Sequence, residues 1–529
     1  MGIYLNPGNE NFAEVVKAQI YVDKTLLIKQ INSYLNTPKK FVCVSRPRRF
    51  GKTIAGNMLS AYYSKSCNST ALFSPFKIAK ENDFKKNLNS FNVIKLDLNG
   101  FYSALSDKNL VFEEFTQKIK KEFSKDFANL DFSDCNSVTD CIAEVYKANK
   151  EQFVIIIDEY DVIIRDNPSE ELIEKYRNFL ISLFKNSDIS PAIALAYITG
   201  ILPVIRDKIQ SKLNNFDEYT MLYPMELAEY IGFTAKEVSD LCKEYNISFD
   251  ECKCWYDGYR LKDFEIYNPN AVVKALLSKT FRSYWSMTGS FDSISEKIRM
   301  NFDGTKDAVI KMLSGEEVDV NVTSYTNSMT DFSNRNDAFT FLIHLGYLAF
   351  NAEEGTCRIP NREVRQEWFN AIESNSDYKI TNQIIQSSKE LLQQTLQGNA
   401  EAVAKALDIS HIHVTSNRSY NNEEALQSAI YLSYIYALNK YTCIKEMTTG
   451  KGFADVVYIP LKSDLPALII ELKHNKSTES ALSQIKEKRY FDSLSAYKGN
   501  ILFIGINYDE KEKTHECKIE MFVKDGANI

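Results

Sequence analysis

Residues 41–53, FVCVSRPRRFGKT, run from an apolar strand pattern through an arginine-rich turn to Gly51, Lys52 and Thr53, and a helical pattern follows from Ile54 to Tyr63. Strand, loop and helix in that order form the context in which backbone N–H groups and a helix N-terminus cradle phosphate oxygens. In such a loop Lys52 reaches the β and γ phosphates and the Thr53 hydroxyl ligates Mg²⁺. The pattern departs from G-x-x-x-x-G-K-[ST] at its first glycine, where Arg46 stands, with Pro47, Arg48 and Arg49 filling the loop.

Outward from this loop, short apolar runs alternate with helical patterns. VIKLDL precedes a helix over Phe112–Phe123, FVIIIDEYD precedes one over Glu170–Phe184, and AIALAYIT closes the series. Strands alternating with helices indicate a parallel sheet. FVIIIDEYD is a continuous apolar run ending in acid, the signature of a buried strand whose C-terminal edge carries ligand-binding groups. At that edge Asp158 is placed to hold Mg²⁺ and Glu159 to orient an attacking water, the work phosphoryl transfer requires. Thr199, at the end of AIALAYIT, offers a hydroxyl on the γ-phosphate side. The nucleotide-binding set is therefore Arg46, Arg49, Gly51, Lys52, Thr53, Asp158 and Thr199, with Thr53 and Asp158 toward the metal and ATP as the ligand.

A chain of 529 residues exceeds what one core supports, and two to four domains are expected. We place boundaries at 1–285 for the phosphate-binding domain, 286–390 for a helical connector, and 391–529 for a third region. The connector's most apolar segment is AFTFLIHLGYLAF, residues 338–350. The third region reads as a long helix over Glu423–Lys440, the strands YTCIKEM, FADVVYI and PALIIELK, a helix over Thr478–Tyr497, and the strand NILFIGINY, an α-β-β-β-α-β order. The fold class throughout is α/β.

In that third region Asp455 lies inside FADVVYI, and Glu471, Leu472 and Lys473 end PALIIELK. Glu471 and Lys473 are two apart on a strand and share a face. If the strands pair through a loop over Pro460–Leu465, Asp455 meets Glu471. Two carboxylates and the Leu472 carbonyl then make a hard oxygen site suited to Mg²⁺, and Lys473 positions a nucleophilic water or stabilises developing charge. Acids facing inward from apolar strands are costly unless a cation meets them. Glu423 either completes this metal site or serves the dipole of the helix it opens. Gln484 is either a site residue or a surface glutamine.

The net charge of −7 excludes a protein that coats nucleic acid, so any such contact needs a local basic patch. From Lys473 to Arg489 the chain carries Lys473, Lys476, Lys486, Lys488 and Arg489 against Glu479 and Glu487, a local +3. Gln484, Lys486, Lys488 and Arg489 are the candidate nucleic-acid contacts. Ten cysteines without a paired CxxC framework read as free thiols. MGIYLNPGNENF lacks a basic and then apolar leader, and the run Ala192–Ile205 is too short to cross a bilayer. The expectation is a cytoplasmic protein with no membrane contact.

YVDKT (Tyr21–Thr25), RPRRFGKT, IIIDEYD, TGILPV (Thr199–Val204), FDEYTM (Phe216–Met221), WYDGYR (Trp255–Arg260) and YNPNAV (Tyr267–Val272) resemble, in order, the bacterial AAA-ATPase-like family found fused to PD-(D/E)XK nucleases. In that family arginines in the loop are usual. The YDGY and YNP stretches suggest only aromatic packing in a lid. KGFADVVYIP, ALIIELKHNKS and ALSQIKEKRY resemble the nuclease partner, a restriction-endonuclease-like domain, over about residues 395–525. Asp455, Glu471 and Lys473 fall on its core motif, and Glu423 and Gln484 on its flanking positions. The resemblance implies an ATPase joined to a Mg²⁺-dependent nuclease with catalytic Glu159, Asp455, Glu471 and Lys473. It implies a nucleic-acid partner, DNA ahead of RNA, and leaves an oligomer open. The rival reading is an ATP-gated binding switch whose nuclease fold does not cut.

Overall fold

The apolar runs of the sequence become strands because each is long enough to be buried on both faces. The structure, a computed structural model, describes residues 2–166, 168–204, 214–285, 292–300, 302–323, 325, 332–375, 378–414, 423–449, 452–461, 464–494 and 497–523. It divides into two compact units, one of Met1–Gly304 with Glu317–Arg365, the other of Thr305–Glu316 with Gln366–Ile529.

In the first unit β1 (Phe41–Ser45), β2 (Asn92–Asp97), β3 (Phe153–Asp158), β4 (Ile193–Gly200) and β5 (Asp217–Tyr219) form one sheet in the order β2-β3-β4-β1-β5. All four pairings are parallel. Every residue of β1, β3 and β4 is buried, as a sheet covered by helices on both faces requires. The helices Lys52–Tyr63, Val111–Asp126, Val138–Asn149 and Glu170–Phe184 supply that cover. The register aligns Asp97 with Asp158 and Val44 with Thr199, so the strand ends that carry polar groups come level at one edge.

Two small antiparallel sheets complete the unit: β6 (Phe233–Thr234) with β8 (Phe264–Tyr267) and β7 (Tyr259–Leu261), and β9 (Val318–Asp319) with β10 (Ala349–Asn351) and β11 (Thr356–Arg358). Tyr256 and Tyr267 of the YDGY and YNP stretches are fully buried in a cluster with Phe233, Val238 and Val272. Their role there is packing, as expected.

The anticipated connector over 286–390 does not form a body of its own. Its helix Arg335–Leu345 is buried at every position from Asp337 to His344, the polar Asp337, Thr340 and His344 included, and a helix buried on all sides belongs inside a core rather than on a spacer. The three short strands β9–β11 in this stretch stand beside the helices that the mostly helical reading expects.

The second unit holds β12 (Tyr441–Thr449), β13 (Gly452–Pro460), β14 (Ala467–His474), β15 (Ile501–Asp509) and β16 (Thr514–Phe522), paired in sequence order. β14 and β15 run parallel and the other neighbours antiparallel. Helices Lys379–Leu396, Ala400–Val414 and Glu423–Ser433 pack on one face and Thr478–Glu487 on the other. The expected α-β-β-β-α-β order stands, with β16 added. The helix expected over Glu423–Lys440 stops at Ser433, and a 3₁₀ turn covers Ile435–Asn439, where the Tyr434 and Thr395 hydroxyls hydrogen-bond at 2.7 Å. None of the ten cysteines is in a disulfide. Among the described residues no helix is long and apolar enough to cross a membrane.

Candidate functional sites

The loop after β1 turns on Gly51, whose φ of 95° lies where a side chain is disfavoured, and the helix begins at Lys52. Arg49 and Glu159 also adopt left-handed backbone, at φ 69° and 52°. Such conformations in residues other than glycine cluster where a site constrains the chain. The Lys52 Nζ donates to the carbonyls of Arg46 and Pro47, each at 2.9 Å. Burial lowers its pKa to about 8 against the opposing pull of Asp161, Asp158 and Glu159.

Asp158 is buried at the end of β3. Its Oδ1 accepts the Thr199 hydroxyl and, at 3.1 Å, the Glu159 N–H. The Thr199 hydroxyl, expected on the γ-phosphate side, is engaged by Asp158 instead. The Glu159 carboxylate is held by the Arg165 guanidinium at 2.9 Å, and Arg165 also lies 3.1 Å from Asp161. Asp161 in turn accepts the N–H groups of Ile201 and Leu202, both at 3.0 Å, fixing the chain beyond β4. Neither Asp161 nor Arg165 was anticipated. Asp161 sits in the quoted IIIDEYD stretch, and Arg165 is four residues on, the helical spacing at which opposite charges meet.

Gly51, Lys52, Thr53, Arg49 and Glu159 line a cavity of about 670 Å³, within the roughly 300–1,000 Å³ of small-ligand sites. Ile20, Val22, Met58, Tyr230, Phe233 and Val273 line it as well, so its lining offers polar groups suited to phosphates and apolar surface suited to a flat ring. Lys24 of the YVDKT stretch and Asn270 of YNPNAV also line it. The Lys24 ammonium is fixed by the Glu237 carboxylate at 2.6 Å and the Glu229 carbonyl at 2.7 Å.

Arg46 corrects the sequence expectation. It is 0% exposed, its Nη1 donates to the Ser45 and Tyr219 carbonyls at 2.9 Å, and its side chain is not part of the cavity wall. Burial lowers its pKa to about 10. A motif position specifies where the backbone goes, and here the side chain turns under β5 rather than toward the loop's mouth. Its backbone carbonyl, not its guanidinium, serves the loop by holding Lys52.

In the second unit the β13–β14 register pairs Val456 with Ile470, which sets Asp455 opposite Glu471 on the face covered by the helix Thr478–Glu487. The Asp455 carboxylate accepts the Leu472 N–H at 2.8 Å, and Gln427 donates to its carbonyl at 2.9 Å. Lys473 Nζ donates to Glu471 at 2.8 Å and to the Leu472 carbonyl at 3.0 Å. Glu471 is 1% exposed and its Oε2 has no hydrogen-bond partner. Burial, then the charge of Asp455, raises its pKa to about 7 despite Lys473. A buried acid with an orphaned oxygen beside a second acid fits a hard cation. The expected Asp455, Glu471, Leu472 and Lys473 are thus together, although Lys473 already occupies the Leu472 carbonyl. Among the described residues no three His, Cys, Asp or Glu side chains gather as a metal cluster. Glu423 opens its helix, and its side chain lies outside the described residues.

Gln484 donates to the Tyr490 hydroxyl at 2.9 Å. Lys486 pairs with Glu520 at 2.6 Å and Arg489 with Asp492 at 2.8 Å. The local +3 read from the sequence is reduced by these acids, one of them on the unanticipated β16.

Residues 7–210 match the family model described as a predicted AAA-ATPase, and residues 421–518 match that of the PD-(D/E)XK nuclease superfamily. The chain joins domains of these two families. The AAA-ATPase-like domain lies in the first unit and the PD-(D/E)XK domain in the second. A curated relative, an uncharacterized protein in the vnfD 5'region of Azotobacter chroococcum mcd 1, is 25% identical over 297 residues, 54% of this chain and 54% of that protein. The chain thus spans about half the length of this relative. The solved structure of C. elegans PCH-2 is 13% identical, covering 48% of this chain and 50% of that one, with a TM-score of 0.20. That of the Aeropyrum pernix ORC2 protein, in ADPNP-ADP complexes, is 11% identical over 68% of this chain and 97% of that one, with a TM-score of 0.29. Both scores are too low to enter the argument.

Proposed function

We propose that the AAA-ATPase-like domain binds and hydrolyses ATP and that the PD-(D/E)XK domain cleaves phosphodiesters of nucleic acid, DNA ahead of RNA. The observation that carries the nuclease reading is the buried, unpartnered Oε2 of Glu471 facing Asp455. Asp455, Glu471 and the Leu472 carbonyl would hold Mg²⁺, with Glu423 a further candidate. The cation supplies Lewis-acid polarisation of the scissile phosphate and favours a deprotonated water nucleophile. The chain's own groups do the rest. Leu472 N–H fixes the Asp455 carboxylate, and Glu471 is kept in place by Lys473. The Lys473 ammonium, once its contact with the Leu472 carbonyl is exchanged, stabilises the charge that develops on the phosphate oxygens.

In the first unit Lys52 exchanges the Arg46 and Pro47 carbonyls for the β and γ phosphates, with Arg49 and the Gly51 backbone beside it. Thr53 and Asp158 are the groups for its Mg²⁺. Glu159, once clear of Arg165, orients the attacking water. Lys476, Lys486, Lys488 and Arg489 are the candidate phosphate contacts of the nucleic acid. The domain boundaries that fit this reading are those of the two units. A cytoplasmic location and assembly into oligomers belong to the same proposal.

One observation favours a non-cutting alternative: Lys473 engages one Glu471 oxygen and the Leu472 carbonyl, contacts that a bound cation would have to displace. The deciding experiment compares wild type with Asp455→Ala, purified identically, on linear and circular DNA and on RNA, with Mn²⁺ or EDTA and with or without ATP. Cleavage by wild type alone supports the nuclease. Equal cleavage by both sinks it, and cleavage by neither favours the switch.

A further inference from the structure

A second cavity, of about 230 Å³, lies in the first unit beside the nucleotide cavity and shares Arg48, Arg49 and Asn270 with it. Its other walls include Arg165, Glu363, Trp285 and Tyr347. Arg165 is charge-matched by Glu159 and Asp161, so the cationic character of the cavity rests on the two loop guanidinium groups, Arg48 and Arg49, against the one Glu363 carboxylate. The acid is already engaged, because one Glu363 oxygen accepts the N–H groups of Tyr284 and Trp285 at 2.7 and 2.9 Å, which fixes the strip bearing Trp285. The Trp285 and Tyr347 rings lie 5.6 Å apart and add an aromatic surface to the cavity lining. Guanidinium forks match phosphate oxygens in geometry and charge, and an aromatic wall accepts a flat apolar body.

We infer that this cavity is a second ligand site, separate from the nucleotide cavity, that takes a phosphate oxyanion, either orthophosphate or the phosphate of a small monoester. Arg165 stands between the two cavities. It lines the second one while its charge is met by Glu159 and Asp161, so an anion there draws on a guanidinium that Glu159 also uses. The binding claim does not depend on ATP hydrolysis or on the nuclease reading.

The test uses the full chain and the emission of Trp285, read as the difference between wild type and Trp285→Phe. Sodium phosphate and phenyl phosphate are titrated separately at fixed ionic strength. Ser293 lines this cavity and not the nucleotide cavity, so Ser293→Phe fills it, and Arg165→Gln removes one guanidinium. Lys52→Ala disables the other site. The expected result is a saturable Trp285 response in wild type and in Lys52→Ala, weakened about tenfold or more in Ser293→Phe and Arg165→Gln, the loss of roughly one charge-assisted contact. Phenyl phosphate binding tighter than orthophosphate identifies a monoester ligand, and equal affinity identifies orthophosphate. No response to either anion at about 10 mM, a concentration that detects even very weak sites, overturns the inference. So does a response that persists in Ser293→Phe and Arg165→Gln but vanishes in Lys52→Ala, which would place the anion on the loop. If thermal melts show that Ser293→Phe is unfolded, Arg165→Gln and Lys52→Ala together still decide the question.

Discussion

Replacing Glu471 by Gln should stabilise the second unit at alkaline pH while removing its chemistry. Burial and Asp455 raise the Glu471 pKa from the ordinary 4.5 to about 7, a folded-state value above the unfolded one. Linkage then fixes the sign: this group's contribution is fully present below about pH 4.5 and is lost as pH rises through about 7. The full swing corresponds to roughly 3 kcal/mol. Gln cannot titrate, and its amide oxygen can still accept from Lys473 while its N–H₂ is turned toward the Asp455 carboxylate. The stability of wild type relative to Glu471→Gln should therefore fall by about 2.5 kcal/mol between pH 5 and pH 8. Urea denaturation measures it, in a Trp255→Phe, Trp285→Phe background that leaves Trp368, buried in the second unit, as the reporter. Added Mg²⁺ at pH 8 should restore wild type, which binds it only as the carboxylate, and leave the variant unmoved. A difference that does not change with pH, or a variant less stable than wild type at pH 8, would refute the account of Glu471 as an uncompensated buried acid.

Other consequences are as direct. With the Lys52 pKa at about 8, ATP binding should take up about 0.9 proton at pH 9 and about 0.1 at pH 7, read as the buffer dependence of calorimetric enthalpies; Lys52→Ala should lose both binding and uptake. Glu159→Gln should bind ATP as wild type does and turn it over about a hundredfold more slowly, in a phosphate-release assay. Because Lys486 and Arg489 must exchange Glu520 and Asp492 for phosphates, Glu520→Gln with Asp492→Asn should steepen the log–log salt dependence of nucleic-acid binding by up to about 2, and an unchanged slope would remove that surface. At Gly258, φ 112°, a Cβ would lie 2.1 Å from the Pro360 carbonyl oxygen, so Gly258→Ala should cost the first unit about 2 kcal/mol or more in chemical denaturation.

The sequence made the strands legible where burial on both faces wrote an unbroken apolar run, as in FVIIID and PALIIEL. The acids ending those runs were equally plain, since a carboxylate at the end of such a strand has few structural excuses. β16 went unread although THECKIEMF alternates polar and apolar residues, the period of a half-buried strand, here at the edge of its sheet. The apolar lining of the cavity beside Lys52 draws on residues near 20, 58, 230 and 273, and contacts between segments so far apart leave no periodicity to find. Arg46 misled because its neighbour Tyr219 comes from β5, more than 170 positions away. The charge of the Lys473–Arg489 segment was overcounted for the same reason, with Glu520 supplied from outside the window.

The chain passes between the two units at Gly304, at Glu316 and again at Arg365. The inserted piece, Thr305–Glu316, brings a helix with Ala308, Val309, Met312 and Leu313 buried into the second unit from within the first unit's sequence. No single cut yields both halves whole. A fragment starting at Gln366 leaves out that helix, and one ending at Arg365 carries it with nothing to cover its apolar face. Genetic shuffling of either half by simple truncation is thereby disfavoured, and an expression plasmid for the second half needs residues 305–316 grafted back through a designed linker.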